Sequence, residues 1–230
     1  MHNGYQIIDI CNIENNPQLK FIRIQPTDIK MTLREVFNSL SNLCWIDSFD
    51  QSYMKNSYKQ RAERTIAHIA NNIITGCEDK ITEDSGEYVV SELARKSIVE
   101  TYNYLDIPLA ELFKKQKRGN PGFDFYTENA CYTILFGEAK YKSHTNAHAS
   151  ALNQLNKFEQ AKSDIEDLVE LKEFCSEAAL INADKGQKGY IAAFSATQIK
   201  TSVLIRHIVK NNDFKALSKF NELICVAINL

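Results

Sequence analysis

Two short runs of this sequence carry residue types that can do chemistry. One is Gly122-Phe123-Asp124-Phe125. The other is Gly137-Glu138-Ala139-Lys140, which closes an apolar stretch containing Ile134-Leu135-Phe136. Residues two apart on a strand project from the same face, so Glu138 and Lys140 share one. Their apolar neighbours put both charges at the rim of a core, where burial costs several kcal/mol unless they pair or bind something. Asp124 supplies a second acid on the preceding strand, between two phenylalanines. Two carboxylates on adjacent strands, with a lysine beside them, make an oxygen-ligand cage suited to Mg2+ (or Mn2+). Such an ion polarises a phosphodiester and lowers the pKa of a bound water, and the lysine steadies that water or neutralises charge growing on the phosphate. The chemistry expected is phosphodiester hydrolysis. Glu-x-Lys alone is also an ordinary same-face ion pair. The Gly-Phe-Asp-Phe run a hairpin's length upstream, and the basic run before it, favour the catalytic reading.

The elements that must position these residues follow from periodicity. Tyr5–Ile13 and Leu19–Ile24 read as strands, the second ending at Pro26. From about Lys30 to Cys44 apolar residues recur at helical spacing, with Thr27 or Asp28 as cap, and a longer helix follows from Ser52 to Ile74. The polar stretch Cys77–Gly86 reads as a loop and a boundary. A helix from Glu87 to Leu105 comes next, then a short helical turn and the basic segment Lys114–Gly122. Phe123–Thr127 and Cys131–Tyr141 are the strands that carry the acids. Helices are expected at Ala147–Lys162 and Ser163–Leu180, whereas Tyr190–Phe194 fits either a strand or a helix start. Asn221–Leu230 reads as a final apolar strand.

Composition narrows the field. The 230 residues are 44% hydrophobic and 24% charged, as in an ordinary folded domain. The 27 basic and 29 acidic residues leave a net charge of −2, so contact with nucleic acid must come from a local patch or a partner. No apolar run is long enough to span a bilayer, and no charged-then-apolar leader opens the chain, so a cytoplasmic location without membrane contact is expected. The six cysteines lie far apart with no C-x-x-C pair, which predicts reduced and mostly buried thiols.

The order of helix, Gly-Phe-Asp124, strand ending Gly-Glu138-Ala-Lys140, and helix resembles the PD-(D/E)xK nuclease core of many restriction and repair nucleases. The motif runs from Gly86 to Lys162, about a third of the chain. It departs from the pattern in one respect, since Gly122-Phe123 precede Asp124 and Pro121 stands three positions before it. In length and layout the whole chain resembles the nuclease-subunit family of the Hachiman anti-phage system. The resemblance implies an α/β fold with a restriction-endonuclease-like core, a central mixed sheet flanked by helices, over residues 81–230. A largely helical N-terminal extension would occupy residues 1–80. It implies metal-dependent DNA cleavage, with Asp124 and Glu138 as metal ligands and Lys140 as the catalytic lysine. It also implies a superfamily 2 helicase from the same defence locus, which loads on DNA, hydrolyses ATP and restrains or releases the nuclease. The chain has no G-x-x-x-x-G-K-[ST] loop and so no ATPase site of that kind. Two alternatives stay open: a catalytically silent adaptor that binds the helicase, and an RNA-directed nuclease.

Supporting residues can be nominated on the same basis. The superfamily often adds an acid from the helix before the core strands. Glu87 falls within the stripe Val90, Ala94, Ile98, Thr101 and Leu105, whereas Glu92 points roughly 160° from its centre. Glu87 is therefore either an extra metal ligand or a first-turn charge favoured by the helix dipole. Lys114, Lys115, Lys117 and Arg118 are candidate phosphate contacts, or else a solvated loop. Gln154 and Lys157 could reach the site from the following helix. His144 and His148 stand four apart but lack a third ligand, so the pair reads as chance. Asp164, Glu166, Asp167, Glu170 and Glu173 read as a solvated face.

Overall fold

A computed structural model describes residues 4–74, 83–114 and 122–230. The chain opens with an antiparallel pair, β1 (Tyr5–Asn12) and β2 (Leu19–Pro26). Glu14 and Asn15 turn between them at φ 52° and 56°. Three helices follow: α1 (Ile29–Ser41), α2 (Ser52–Ile74) and α3 (Glu83–Tyr102). The Asp28 side chain caps α1 by accepting from the Met31 N–H. A short helix, α4 (Ala110–Phe113), leads to β3 (Phe125–Glu128) and β4 (Ile134–Lys140). The remainder is α5 (His148–Ala161), α6 (Ser163–Leu171), α7 (Glu177–Asp184), β5 (Lys188–Ala196), α8 (Thr201–Lys210), α9 (Asn212–Leu217) and β6 (Glu222–Asn229).

The six strands form one mixed sheet in the order β1-β2-β6-β5-β4-β3, with parallel pairing from β2 to β4 and antiparallel pairing at each edge. Strands buried on both faces read as continuous apolar runs, and β5 and β6 are buried along their whole length. On one face Phe136, Tyr190, Phe194 and Cys225 pack with Ala151, Leu155 and Phe158 of α5 and with α7 to α9. On the other, Leu135, Ile191, Ala193 and Val226 pack with α1, α2 and α3. The fold is therefore α/β, a mixed sheet between two helical layers. Pairing of β2 with β6 places strands from residues 1–80 and 81–230 in the same sheet.

Several elements differ from the sequence expectation for identifiable reasons. Tyr190–Phe194 is strand, because β4 and β6 both pair with it. The stretch Ser163–Leu180 is broken into α6 and α7 by the Ser176 side chain, which accepts from the Ala179 N–H and starts a new helix. The strand expected from Cys131 begins only at Ile134, since Asn129 Oδ1 draws the Cys131 and Thr133 N–H groups into a turn at 2.9 and 3.0 Å. The helix expected at Glu87–Leu105 starts earlier, at Glu83, so the end of the supposed Cys77–Gly86 loop is helical; residues 75–82 lie outside the described ones. It ends at Tyr102, where Asn103 turns left-handed at φ 54°. Among the described residues the thiols are also less buried than expected: Cys11, Cys44 and Cys131 are exposed, whereas Cys175 and Cys225 are buried, and Cys77 lies outside the described residues.

The acids of α6 do not form one solvated face. Asp164 is buried and its Oδ2 lies 2.6 Å from Lys188 Nζ. Asp167 is buried and accepts from Lys114 Nζ and the Tyr126 hydroxyl, both at 2.5 Å. Carboxylates at these depths persist because each meets a cation.

Candidate functional site

β4 outruns its edge neighbour, and the site forms at that step. The last backbone pairing from the edge joins the Asp124 N–H to the Gly137 carbonyl at 2.9 Å. The next N–H on that side of β4, from Ala139, has no strand residue opposite it. Asp124 Oδ2 accepts it instead, at 2.7 Å. The carboxylate is thereby pinned beside Glu138 and Lys140. Gly137 permits this close edge, since a Cβ there would meet the Phe125 ring at 2.6 Å.

Glu138 and Lys140 share a face, as their spacing requires. Lys140 Nζ lies 2.8 Å from Glu138 Oε1 and 3.2 Å from Glu87 Oε1. One ammonium thus bridges a strand acid and a helix acid. Gly86 makes the bridge possible: a Cβ there would stand 2.3 Å from the Tyr141 ring, so α3 meets the end of β4 at a distance only glycine allows. Glu138 is 3% exposed, and its Oε2 has no hydrogen-bond partner among the described residues. A buried carboxylate oxygen without a donor is costly, and a bound cation is one way to satisfy it.

The charges do not balance. Burial pushes the Asp124 carboxyl up to about 7, with Glu87 and Glu111 adding to the rise while the Ala139 N–H and Lys140 oppose it. Burial, then Asp124, hold Glu138 well above the usual carboxylate range despite Lys140. Burial alone would lower the Lys140 ammonium, but Glu138, Asp124 and Glu87 outweigh it and raise it. The site thus favours protons or cations and carries one lysine against several acids. Its donors are the hard oxygens that suit Mg2+ or Mn2+. Among the described residues no three Asp, Glu, His or Cys side chains already converge on one point. Lys140 itself spans the gap between Glu87 and Glu138.

The structure therefore brings together Asp124, Glu138, Lys140 and Glu87. It does not leave Lys114 open to a phosphate, because that ammonium is committed to Asp167 and to the Tyr126 hydroxyl at 2.5 and 2.9 Å. Lys115, Lys117 and Arg118 lie outside the described residues. Gln154 is half-buried on α5, and among the described residues no hydrogen bond joins it to the acids; Lys157 is exposed on the same helix. Glu92, which helical arithmetic turns away from the core stripe, is buried on the side facing α1, where Ser39 and Arg95 bind it. His144 is exposed, and His148 packs on Phe194 with ring centroids 5.8 Å apart.

Two residues of the site were not anticipated. Glu111 of α4 influences Asp124 directly, and Tyr88, next to Glu87, hydrogen-bonds the Glu111 side chain. Nothing in their spacing relates them to Asp124. The link is tertiary, through the Ala110 N–H donated to the Asp124 carbonyl at 2.9 Å. No family model matches this chain, and no curated protein or solved structure does so either.

Proposed function

We propose that this protein is a metal-dependent nuclease of the PD-(D/E)xK kind that hydrolyses DNA phosphodiesters and serves as the effector of an anti-phage complex with a helicase. One observation carries the reading. Asp124, Glu138 and Lys140, picked out in the sequence by residue type, meet at one step of the sheet rim with a buried, donorless Glu138 oxygen among them. The order α3, β3, β4, α5 along the chain also fits the resemblance. DNA and the helicase rest on the resemblance alone. Among the described residues no helix is long and apolar enough to cross a membrane.

In this reading Asp124 and Glu138 hold a divalent cation, Mg2+ or Mn2+, with Glu87 as a further oxygen donor. The cation supplies Lewis acidity towards a phosphoryl oxygen. The proton that Asp124 holds up to about pH 7 leaves before both its oxygens can serve. Lys140, which lies in contact with Glu138 and Glu87, would offer its ammonium to the attacking water and to the charge growing on phosphorus.

The test is cleavage of supercoiled plasmid and of labelled RNA, each with Mg2+ or Mn2+, by wild type, Glu138→Ala and Lys140→Ala, with and without the helicase and ATP. Wild-type cleavage of DNA that both substitutions abolish supports the proposal. Cleavage of RNA alone would redirect it to RNA, and no cleavage under any condition would leave the adaptor reading.

A further inference from the structure

The carboxylates at the rim come from separate elements, which meet where α3 packs on β4 at Gly86 and Tyr141. Glu87 rides on α3, whereas Asp124 stands at the start of an edge strand. The short helix α4 lies between them and is tied down from three directions. The Ala110 N–H donates to the Asp124 carbonyl at 2.9 Å. From α2, Arg61 donates to the Phe113 carbonyl at 2.6 Å and Thr65 to the Glu111 carbonyl at 3.0 Å. The remaining tie runs to α3, where Tyr88, adjacent to Glu87, hydrogen-bonds the Glu111 side chain. Glu111 is half-buried, its Oε2 has no partner among the described residues, and Tyr88 is hydrogen-bonded to its side chain while His68 lies near enough to favour its charge.

We infer that Tyr88 and Glu111 are a positioning pair: their hydrogen bond fixes the helix acid Glu87 relative to the strand acid Asp124 and so sets how tightly the rim carboxylates hold a divalent cation. The inference rests on the cation-binding reading above. Neither residue need touch the ion. Partners that orient ligand carboxylates in this way typically change metal affinity by about 10- to 100-fold when removed.

The experiment is Mn2+ binding to the purified full chain, followed by loss of the free-ion electron paramagnetic resonance signal, with thermal melting in parallel. Tyr88→Phe keeps the ring and the Glu111 charge and removes only the bond; it is expected to weaken Mn2+ binding by about 10-fold without an equivalent loss of melting temperature. Glu111→Gln still offers the hydroxyl a carbonyl oxygen, so it loses less than Tyr88→Phe. Combining the two is expected to cost little beyond Tyr88→Phe alone, as for residues that act as one unit. Wild-type affinity in Tyr88→Phe, or losses that simply add, overturns the pair. A folded wild type that takes up no Mn2+ removes the cation reading itself, and the pair with it.

Discussion

Lys140 Nζ lies 2.8 Å from Glu138 Oε1, a strand residue two positions earlier, and this contact shields only one oxygen of a carboxylate that is 3% exposed. The other oxygen is left without a donor. A neutral side chain of the same shape avoids the cost of a buried, half-satisfied charge. Glu138→Gln is therefore expected to match or exceed the wild-type urea midpoint while losing cleavage by at least about 100-fold. A large drop in the midpoint would assign Glu138 to the scaffold.

The direction of the Asp124 shift sets a pH dependence for cleavage. Its proton is held up to about 7, and the acid must lose that proton before it can ligate. Cleavage at limiting Mg2+ should rise as pH passes through 7. Cation and proton compete for the same oxygens, so raising Mg2+ should move the midpoint to lower pH. A midpoint that stays fixed over a hundredfold range of Mg2+ would count against Asp124 as a ligand.

Stability of the metal-free protein should follow the same group with the opposite sign. In the unfolded chain Asp124 titrates near 3.8, whereas in the folded state it holds its proton to about 7. Between these values the folded state binds more protons, so stability falls as pH rises across that window and this group adds no further change above it. Glu138 is shifted in the same direction. Divalent cation at pH 8 should restore the loss, by about 2.7 kcal/mol at a hundred times its Kd, and should do so far less in Asp124→Asn. Urea titrations at pH 5 and 8, with and without Mg2+, measure both effects.

Lys114 gives a prediction that separates structure from substrate binding. Its ammonium sits 2.5 Å from Asp167 Oδ1, and both side chains are largely covered, at 18% and 10% exposure. Removing one partner leaves the other charge buried and unpaired. Lys114→Ala is expected to cost about 3 kcal/mol in urea unfolding. The salt dependence of DNA binding should not change with it, since a lysine facing no phosphate releases no counterion.

The most legible parts of this protein were those whose signals are local. The α2 helix, Ser52–Ile74, and the Asp28 cap of α1 follow from apolar spacing and one side chain's reach back to a backbone N–H. Glu138 and Lys140 were readable because strand geometry fixes residues two apart on one face, and two charges after an apolar run are conspicuous. Other features lay beyond that range. Asp164 and Asp167 look like solvent-facing helix acids until Lys188 and Lys114 arrive from 24 and 53 residues away. Glu92 defeats the helical wheel because α3 is covered on more than one side, so a polar residue there need not face water.

The sequence by itself therefore determined many of the elements and singled out three charged residues by type, since both depend on near neighbours along the chain. Only the tertiary structure decided what surrounds those charges. The step between β3 and β4 supplies the N–H that pins Asp124. The close approach of Gly86 to Tyr141 brings Glu87 within reach of Lys140, and the α4 anchor sets Glu111 beside Asp124. Each depends on pairing register and interhelical distance. Those are settled by how the whole core packs, so no single stretch of chain encodes them.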